Sequence, residues 1–511
     1  MNLKKTLLGF LIFITCSLVL LFYFSKSALS LAKNHSQKRE FHAQAHREHW
    51  ITVFIHGSFH TGLGLLSFFD VLNDRPHKTF YQKLTKKLRN DPYNYQEQIM
   101  LEPGLIEIIP SFISTSNEYK LAAYPIIAAY DEILNHTVEA SKLGSYYTFG
   151  WSGLMSQTAR RSEAVCLYNA LTDEVKKFKT YGITPKIRLI CHSHGGNVAL
   201  NLGAIPCALQ LIQEFSVKKD PMQRSTIEQK LKILNKTQEN RNDAVSKMAI
   251  AILSSPSKIE ASQYTEPLKK LFYKPIDENL EIEELIMLGT PIQPETSHFC
   301  CSYNIKKIFN LYSSEDVIQS SDWVSTKNFY SARRFEPNDI CPSFKDNPQE
   351  IYQVQLMIEK DLAKYAQERK KEKEKSWYKA YLTTFLKIFN VCHTESKDPT
   401  HKDLWFLSWD KEYTQPGYPF HPLPMVIFLP LIMQAIKSVD TMYDLDINFV
   451  LQNETLTIQV AQHEQETIHH AITIPATIIQ KLRTKVEAWE PKHLSREADS
   501  VKLHMALQNN S

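Results

Sequence analysis

The sequence predicts an α/β protein with a mostly parallel sheet flanked by helices. Six short β-branched or aromatic runs alternate with helical stretches along the chain, and strands separated by helices imply right-handed parallel crossovers. Each run stops at a cluster of small or polar residues. Because the carboxyl ends of parallel strands meet at one edge of a sheet, we expect functional side chains to gather there.

The composition is that of a globular protein. The chain has 511 residues, of which 43% are hydrophobic and 22% are charged, enough for one large domain with insertions or for two to three ordinary domains. The net charge is only +4, which gives no reason to expect nucleic acid as a partner. We find no group of His, Asp and Glu with the spacing of metal ligands, so no metal or other cofactor is expected.

Residues 1–32 are predicted to be an N-terminal transmembrane anchor or signal segment. The run from Thr6 to Phe24 is uncharged and has 19 residues. A bilayer span needs about 20 residues, whereas the apolar region of a cleaved signal peptide has about 7–15. An uncleaved single-pass anchor with an exported body is therefore favoured. Cleavage near the small residues 27–30 would instead give a secreted protein.

The body of the protein is predicted to be one domain over residues 48–436. Its predicted strands, in order, are 50–55, 146–149, 187–191, 285–288, 307–312 and 351–358. Apolar residues at spacings of three and four predict a helix over 155–180. Helical patterns also occur over 78–90, 119–134 and 198–209. Two charged segments, 210–280 and 361–398, are expected to be helical insertions.

The C-terminal part has a different pattern. Residues 422–436 are apolar but short for a bilayer span and are interrupted by two prolines, so a buried helix is favoured over a membrane-facing loop. The strands 447–451 and 455–460 flank a short polar turn, which predicts a hairpin, and a helical stretch follows at 476–490. Residues 440–511 are therefore interpreted as a small α+β appendage.

Residues 191–195, Cys-His-Ser-His-Gly, connect a predicted strand to a predicted helix. A serine is a weak nucleophile until a base removes its proton, and a sharp G-x-S-x-G turn can lift the hydroxyl above a sheet. Cys191 replaces the first glycine of that pattern. Cys191 itself is disfavoured as a nucleophile because the last residue of a strand is expected to be buried. His192 and His194 flank Ser193 and are expected to point to different sides, so neither is expected to be its base. A simple turn without chemistry is the alternative.

Together with neighbouring motifs, this turn resembles the α/β-hydrolase superfamily, particularly its lipase and esterase members. The matching segments follow the order of that family and are 53–57, 149–153, 191–195, 288–291 and 312–318. The resemblance implies an α/β-hydrolase fold for the domain, with the 210–280 insertion in the place where the family often carries a lid.

The resemblance also implies roles for individual residues. Ser193 would be the nucleophile. The oxyanion hole would consist of the backbone N–H of His194 together with that of Ser58 or Phe59.

The acid and the base are expected further along the chain, in the order Ser, Asp, His. Asp316 follows the predicted strand 307–312 and is the expected acid, with the adjacent Glu315 in reserve. His401 lies in a polar turn that leads into apolar residues and is the favoured base. His421 and His393 are the alternatives for the base.

These expectations combine into a membrane-anchored serine hydrolase that cleaves carboxylic esters, with acyl lipids as the favoured substrates. The alternatives are a non-catalytic binding or scaffold protein of the same fold, an acyltransferase, and a peptidase. The expected partners are a lipid or ester substrate and, through the N-terminal helix, a membrane.

Overall fold

In the computed structural model of the chain, the described residues are 48–58, 85–86, 89–90, 92–113, 121–138, 144–210, 280–316, 318–319, 331–336, 350–362, 364–365, 396–408, 417–439, 443–452, 454–463, 465 and 467–489. The chain divides into two compact units, Met1–His49 with Glu174–Pro185 and Trp50–Asp173 with Lys186–Ser511. In the described part of the first unit, the ring of His49 packs against that of Phe178. All candidate site residues belong to the second unit.

The described strands form one sheet. They are β1 (Trp50–Ile55), β2 (Gly104–Ile108), β3 (Gly144–Gly150), β4 (Lys186–His192), β5 (Ile282–Leu288), β6 (Ile305–Ser313), β7 (Glu350–Ile358), β8 (Asp444–Gln452), β9 (Thr455–Gln462) and β10 (Ile468–Pro475). Their order across the sheet is β10-β9-β8-β7-β6-β5-β4-β1-β3-β2. The pairs from β3 to β8 in this order are parallel, and those involving β2, β9 and β10 are antiparallel. The predicted α/β class with a mostly parallel sheet is confirmed.

Helices connect and cover these strands. The described α-helices are α1 (Pro92–Glu97), α2 (Ala123–Asn135), α3 (Gln157–Thr180), α4 (His194–Asn201), α5 (Leu429–Lys437) and α6 (Ala476–Glu487), with 3-10 turns at Leu202–Ala204, Ser297–Cys301 and Met425–Phe428. Helices α2, α5 and α6 share one apolar core with the central strands. Each fully buried aliphatic or aromatic side chain in such a core stabilises the fold by about 1.5–3 kcal/mol.

The segment 422–436 is buried in this core, as predicted. Met425, Phe428 and Ile432 are fully shielded from solvent. Pro430 lies in the first turn of α5, where a helix does not need the missing N–H. Pro424 directly precedes the 3-10 turn Met425–Phe428. Both prolines therefore lie at the start of an element and do not break a continuous helix.

Eight of the ten described strands lie where the sequence predicts them, most of them a few residues longer, and the other two were not predicted. Strand β2 begins at a glycine, has only five residues and pairs through one edge with β3. Strand β10 forms the opposite edge and leaves most of its residues exposed or half-buried. Edge strands of this kind lack the buried apolar run by which the central strands are recognised.

The C-terminal residues do not form a separate appendage. The predicted hairpin is present as β8 and β9, but β8 also pairs in parallel with β7, from Gln353 opposite Asp444 to Ile358 opposite Phe449. Residues Leu445 to Phe449 are all buried. Pairing between β7 and β8 joins distant parts of the chain, and the local pattern of a hairpin carries no information about such a partner. Residues 444–475 therefore complete the main sheet.

Several predicted segments lie outside the described residues. These are the N-terminal anchor over 1–32, nearly all of the 210–280 insertion, most of the 361–398 insertion and most of the predicted helix 78–90. Among the helices of the described ranges, none combines the length and the apolar character needed to cross a membrane.

Candidate active site

Ser193 lies at a sharp turn between a central strand and a helix. Strand β4 ends at His192, helix α4 begins at His194, and Ser193 between them has φ 50° and ψ −130°. A positive φ at a residue other than glycine costs on the order of 1–3 kcal/mol and persists only where the surroundings enforce it. Here the Ser193 N–H donates to the carbonyl oxygen of Leu288 at 2.9 Å, which continues the pairing of β4 with β5.

The glycine after this turn allows a close approach of two chain segments. A Cβ at Gly195 would lie 2.6 Å from the carbonyl oxygen of His56 and 2.7 Å from that of Ile55. The start of α4 therefore passes directly over the end of β1, where no side chain fits. On the other side of the turn, a Cβ at Gly57 would lie 2.7 Å from the Cβ of Ser193. The 56–58 segment thus borders the serine.

The structure brings His401 and Asp316 into direct contact. The Nδ1 of His401 lies 2.8 Å from the Oδ2 of Asp316, whose side chain is fully buried, while the histidine side chain is 14% exposed. A carboxylate only accepts hydrogen bonds, so Nδ1 carries a proton, and in the neutral imidazole Nε2 then keeps its lone pair. The second carboxylate oxygen accepts the backbone N–H of Gln319 at 3.0 Å. The pair is thus held in one geometry.

Two further charged residues hold the segments that carry this pair. The guanidinium of Arg333 donates to the backbone oxygens of Ser314 and Asp316, both at 3.1 Å. The buried carboxylate of Asp398 accepts the backbone N–H of Ile358 at 2.9 Å and the hydroxyl of Ser314 at 3.0 Å. Asp398 therefore connects the ends of β6 and β7 to the loop that leads into His401. Burial raises the pKa of this carboxyl above its ordinary value, against the opposing effect of Lys360.

A second glycine places the acid–base pair at the end of β5. Gly289 has φ 60°, and a Cβ there would lie 2.6 Å from Asp316 Oδ2 and 3.1 Å from His401 Nδ1. The residue before it, Leu288, is the one that accepts the Ser193 N–H. The ends of β4, β5 and β6 therefore place the serine and the acid–base pair at one edge of the sheet. His401 also packs against the residue next to the serine, since its ring centroid lies 4.4 Å from that of His192.

The alternatives for acid and base are placed differently. Of the two adjacent acidic residues, Asp316 and not Glu315 forms the bond with His401. His421 belongs to the segment that precedes the 3-10 turn Met425–Phe428. His393 lies outside the described residues.

Cys191 is unsuited to act as the nucleophile. Its side chain is fully buried within β4. Burial raises the pKa of the thiol well above its ordinary value, which keeps the sulfur protonated and unreactive.

The expected oxyanion donors are only partly described. His194 is the first residue of α4, where backbone N–H groups have no partner within the helix. Its imidazole Nδ1 accepts a hydrogen bond from the guanidinium of the fully buried Arg160 at 3.0 Å. Ser58 is half-buried at the end of the 56–58 segment, and Phe59 lies outside the described residues.

His56, beside these groups, is a neutral structural histidine. Its Nδ1 donates to the Gly57 carbonyl oxygen at 2.7 Å, and its Nε2 accepts the backbone N–H of Trp151 at 3.2 Å. The indole N–H of Trp151 donates in turn to the His56 carbonyl oxygen at 2.7 Å. Burial, with a smaller contribution from Arg89, lowers the pKa of His56 to about 3. The 149–153 motif therefore supports the 56–58 segment that borders Ser193.

The sequence analysis did not identify Arg160, Arg333 or Asp398. Their positions relative to the site follow from long-range contacts that no local motif reports. Of these three residues, only Asp398 could have been recognised from the sequence, because it precedes His401 by three residues in the same polar turn. In the part of the chain that the structure describes, His, Cys, Asp and Glu side chains nowhere gather in groups of three that could hold a metal ion.

No protein-family model matches the chain, and neither a curated protein nor a solved structure was found to be similar to it. The function of the chain is therefore inferred from the geometry of the site and from the motifs of the sequence.

Proposed function

We propose that this protein is a serine hydrolase of the α/β-hydrolase fold that cleaves carboxylic esters. The observation that carries the proposal is the strained backbone of Ser193 at the carboxyl end of β4, at the same sheet edge as the hydrogen-bonded pair of His401 and the buried Asp316. Strain at a serine between a strand and a helix is typical of a nucleophile that must stand clear of the sheet. The order of Ser193, Asp316 and His401 along the chain agrees with that of the resembled family.

The proposed reaction proceeds through an acyl-enzyme. The free Nε2 of His401 takes the proton of Ser193 as its Oγ attacks the ester carbonyl carbon, and the imidazolium then gives that proton to the leaving alcohol. Asp316, bonded to Nδ1, keeps the imidazole in the tautomer that this transfer needs and stabilises its charged form. A water molecule, activated by the same histidine, releases the acid and restores the serine.

The oxyanion of the tetrahedral intermediate would be held by backbone N–H groups. His194 supplies one of them as the first residue of α4, and Ser58 or Phe59 supplies the other from the segment beside Ser193. Loss of a single donor of this kind costs about 3–4 kcal/mol of transition-state stabilisation. The hydrogen bonds among His56, Gly57 and Trp151 keep the second donor segment in place before substrate binds.

The proposed substrate is an acyl ester presented at a membrane. The apolar run from Thr6 to Phe24 is long enough to anchor the body to a bilayer. In the order of the chain, the 210–280 segment stands between the nucleophile turn and the next strand, the place where the resembled family often carries a lid. Both features favour an apolar substrate over a water-soluble ester.

The proposal is tested by ester hydrolysis with the full-length chain purified in detergent. The probes are p-nitrophenyl esters of short and long acyl chains, and the variants are Ser193→Ala and, as a matched control, Ser438→Ala at the end of α5. We expect turnover that rises with acyl length, is lost in Ser193→Ala and is unchanged in Ser438→Ala. Turnover that survives in Ser193→Ala would exclude this nucleophile. A wild-type protein that hydrolyses none of these esters would favour a non-catalytic scaffold or a peptidase.

A further inference from the structure

His192, the residue before the proposed nucleophile, is a buried histidine that the proposed reaction does not use. Only 2% of it is exposed. Its ring stacks on Trp405 with centroids 5.4 Å apart and an interplanar angle of 11°, and it meets the edge of Phe406 at 5.7 Å. The same ring lies 4.4 Å from that of His401. The side chain of His192 therefore packs against three residues of the 401–406 turn.

A hydrogen bond defines the protonation state of His192. Its Nε2 lies 3.0 Å from the backbone carbonyl oxygen of His401. A carbonyl oxygen only accepts, so Nε2 carries the proton. Burial, together with the charge that His401 can carry, lowers the pKa of His192 well below its ordinary value. The ring is thus neutral, with its proton on Nε2, and it places no positive charge beside His401.

His401 is consequently held from two directions. Its side chain forms a hydrogen bond with Asp316, which follows β6. Its backbone carbonyl accepts a hydrogen bond from His192, at the end of β4. Asp398 anchors the loop three residues before His401, through Ile358 and Ser314. The hydrogen bond from His192, the residue adjacent to Ser193, fixes the backbone from which the imidazole projects.

We propose that His192 is a positioning residue, which holds the backbone of His401 so that the imidazole stays aligned between Asp316 and Ser193. This inference rests on the proposed function, because alignment matters only if His401 transfers the serine proton. The competing explanation is that His192 merely fills space against Trp405. A phenyl ring would fill the same space without the N–H donor, so the two explanations are separable.

The test compares His192→Phe, which keeps an aromatic ring, with His192→Gln, whose amide N–H can reach the same carbonyl oxygen. His463→Phe is the matched control, because His463 is another histidine with a largely shielded side chain, 8% exposed, and it is hydrogen-bonded through Nδ1 to Asp446 at 2.6 Å. We expect His192→Phe to lower kcat by about 100-fold with KM changed less than about twofold, since a displacement of about 1 Å can have that effect. His192→Gln should recover at least about tenfold of this loss, and His463→Phe should keep the wild-type kcat.

Proton NMR gives a readout that does not need turnover. The Nδ1 proton of His401 shared with Asp316 should give a downfield resonance, which His192→Phe shifts or broadens and His463→Phe leaves unchanged. In the wild type, the nitrogen shifts of His192 should show the proton on Nε2. A His192→Phe variant with wild-type kcat and an unchanged downfield resonance would make His192 a packing residue.

A failure of the proposed function can be distinguished from a failure of the inference about His192. If the wild type hydrolyses no ester, the proposed function fails, while the NMR comparison still decides whether His192 holds the histidine. If His192→Phe does not fold, the wild-type nitrogen shifts decide, since a proton on Nδ1 of His192 is incompatible with the bond to His401 and overturns the inference.

Discussion

Strands β4 and β5 have buried polar residues at both ends, but the two ends differ in how those residues interact. Near their amino ends, Arg188 lies opposite Glu284 in the sheet, and the two side chains form an ion pair at 2.7 Å with 1% and 3% exposure. Lys437 adds a second bond to Glu284 at 2.7 Å, and the hydroxyl of Tyr130 accepts one from Arg188 at 3.0 Å. Opposite charges are matched there, and the cluster joins α2 and α5 to the sheet.

At the carboxyl ends of the same strands, the geometry stores strain. Ser193 has a positive φ, Gly289 leaves no room for a Cβ, and the buried His192 is kept neutral. The buried His56, which follows the neighbouring strand β1, is kept neutral as well. A strained backbone conformation does not stabilise a fold, and it persists only because the surrounding structure enforces it. On the proposed function, the amino end of these strands serves stability and the carboxyl end serves chemistry. Variants at the two ends should therefore have separable effects.

The largest effect is expected for Asp316→Asn. The amide keeps the shape of the carboxylate but favours the wrong tautomer of His401, so kcat for ester hydrolysis should fall by about 10⁴-fold. The matched control is Asp446→Asn, which alters the other buried His–Asp contact, that with His463. The control should leave kcat within about twofold of the wild type, because Asp446 belongs to β8 and not to the proposed triad. Equal losses in both variants would contradict the assignment of Asp316.

The amino ends of β4 and β5 are tested by the variant Glu284→Gln. This change leaves Arg188 buried without its full counter-charge, and the free energy of unfolding should fall by about 3–5 kcal/mol. Urea denaturation followed by tryptophan fluorescence measures the loss, and ester turnover below the unfolding transition should stay at the wild-type value. Lys306→Ala, which removes the exposed pairs with Glu281 and Glu283, is the control and should cost less than about 1 kcal/mol. A fall in kcat without a fall in stability would show that the two ends are not separable.

The neutral histidines predict an acid-labile fold. The folded-state pKa of His56 is about 3 against an ordinary value of 6.5, so the unfolded chain binds a proton between these values that the folded chain does not. Stability is then complete above pH 6.5 and falls as the pH decreases towards 3. At pH 5 the loss from this residue is about 2 kcal/mol.

The slope of unfolding free energy against pH measures this contribution. His56→Asn should flatten the slope between pH 6.5 and 4, although the variant starts from a lower stability, while His469→Asn on the exposed edge strand should leave it unchanged. A slope that is identical in all three proteins would assign the acid lability to other groups.

The smallest effect concerns the strain at Ser193. Glycine accepts a positive φ and alanine does not, so Ser193→Gly should be more stable than Ser193→Ala by about 1 kcal/mol. Both variants should be inactive, which separates strain from chemistry. Thermal unfolding of the two proteins side by side measures the difference, and an alanine variant at least as stable as the glycine variant would mean that the turn is relaxed.

The sequence predicted most of the parallel sheet, because its central strands are short apolar runs that end at small or polar residues. Strand β1, for example, ends at Ile55 in both the prediction and the structure. The edge strand β2 and the pairing of β8 with β7 could not be predicted in this way. Half-exposed edge strands lack a strong hydrophobic pattern. The local sequence of a strand also does not show which distant strand it pairs with.

For the candidate site, too, the sequence predicted one part of the arrangement and not the other. Ser193 and Asp316 follow strands at positions that motifs mark, and the structure places them at one sheet edge with His401. The residues that hold them, such as Asp398 and Arg333, contact the site through folds of the chain that no motif encodes. The hydrogen bond between His192 and the backbone of His401 could not be predicted either, since these residues lie far apart in the sequence.

The central claim is that Ser193 is a nucleophile activated by His401, and its most direct test is covalent labelling. The full-length protein is treated with a fluorophosphonate, the mass of the intact chain is measured, and the modified residue is located by peptide mass spectrometry. We predict one adduct per chain, on Ser193, formed slowly in His401→Ala and absent in Ser193→Ala. A wild-type chain that stays unmodified, or an adduct on another residue, would contradict the account.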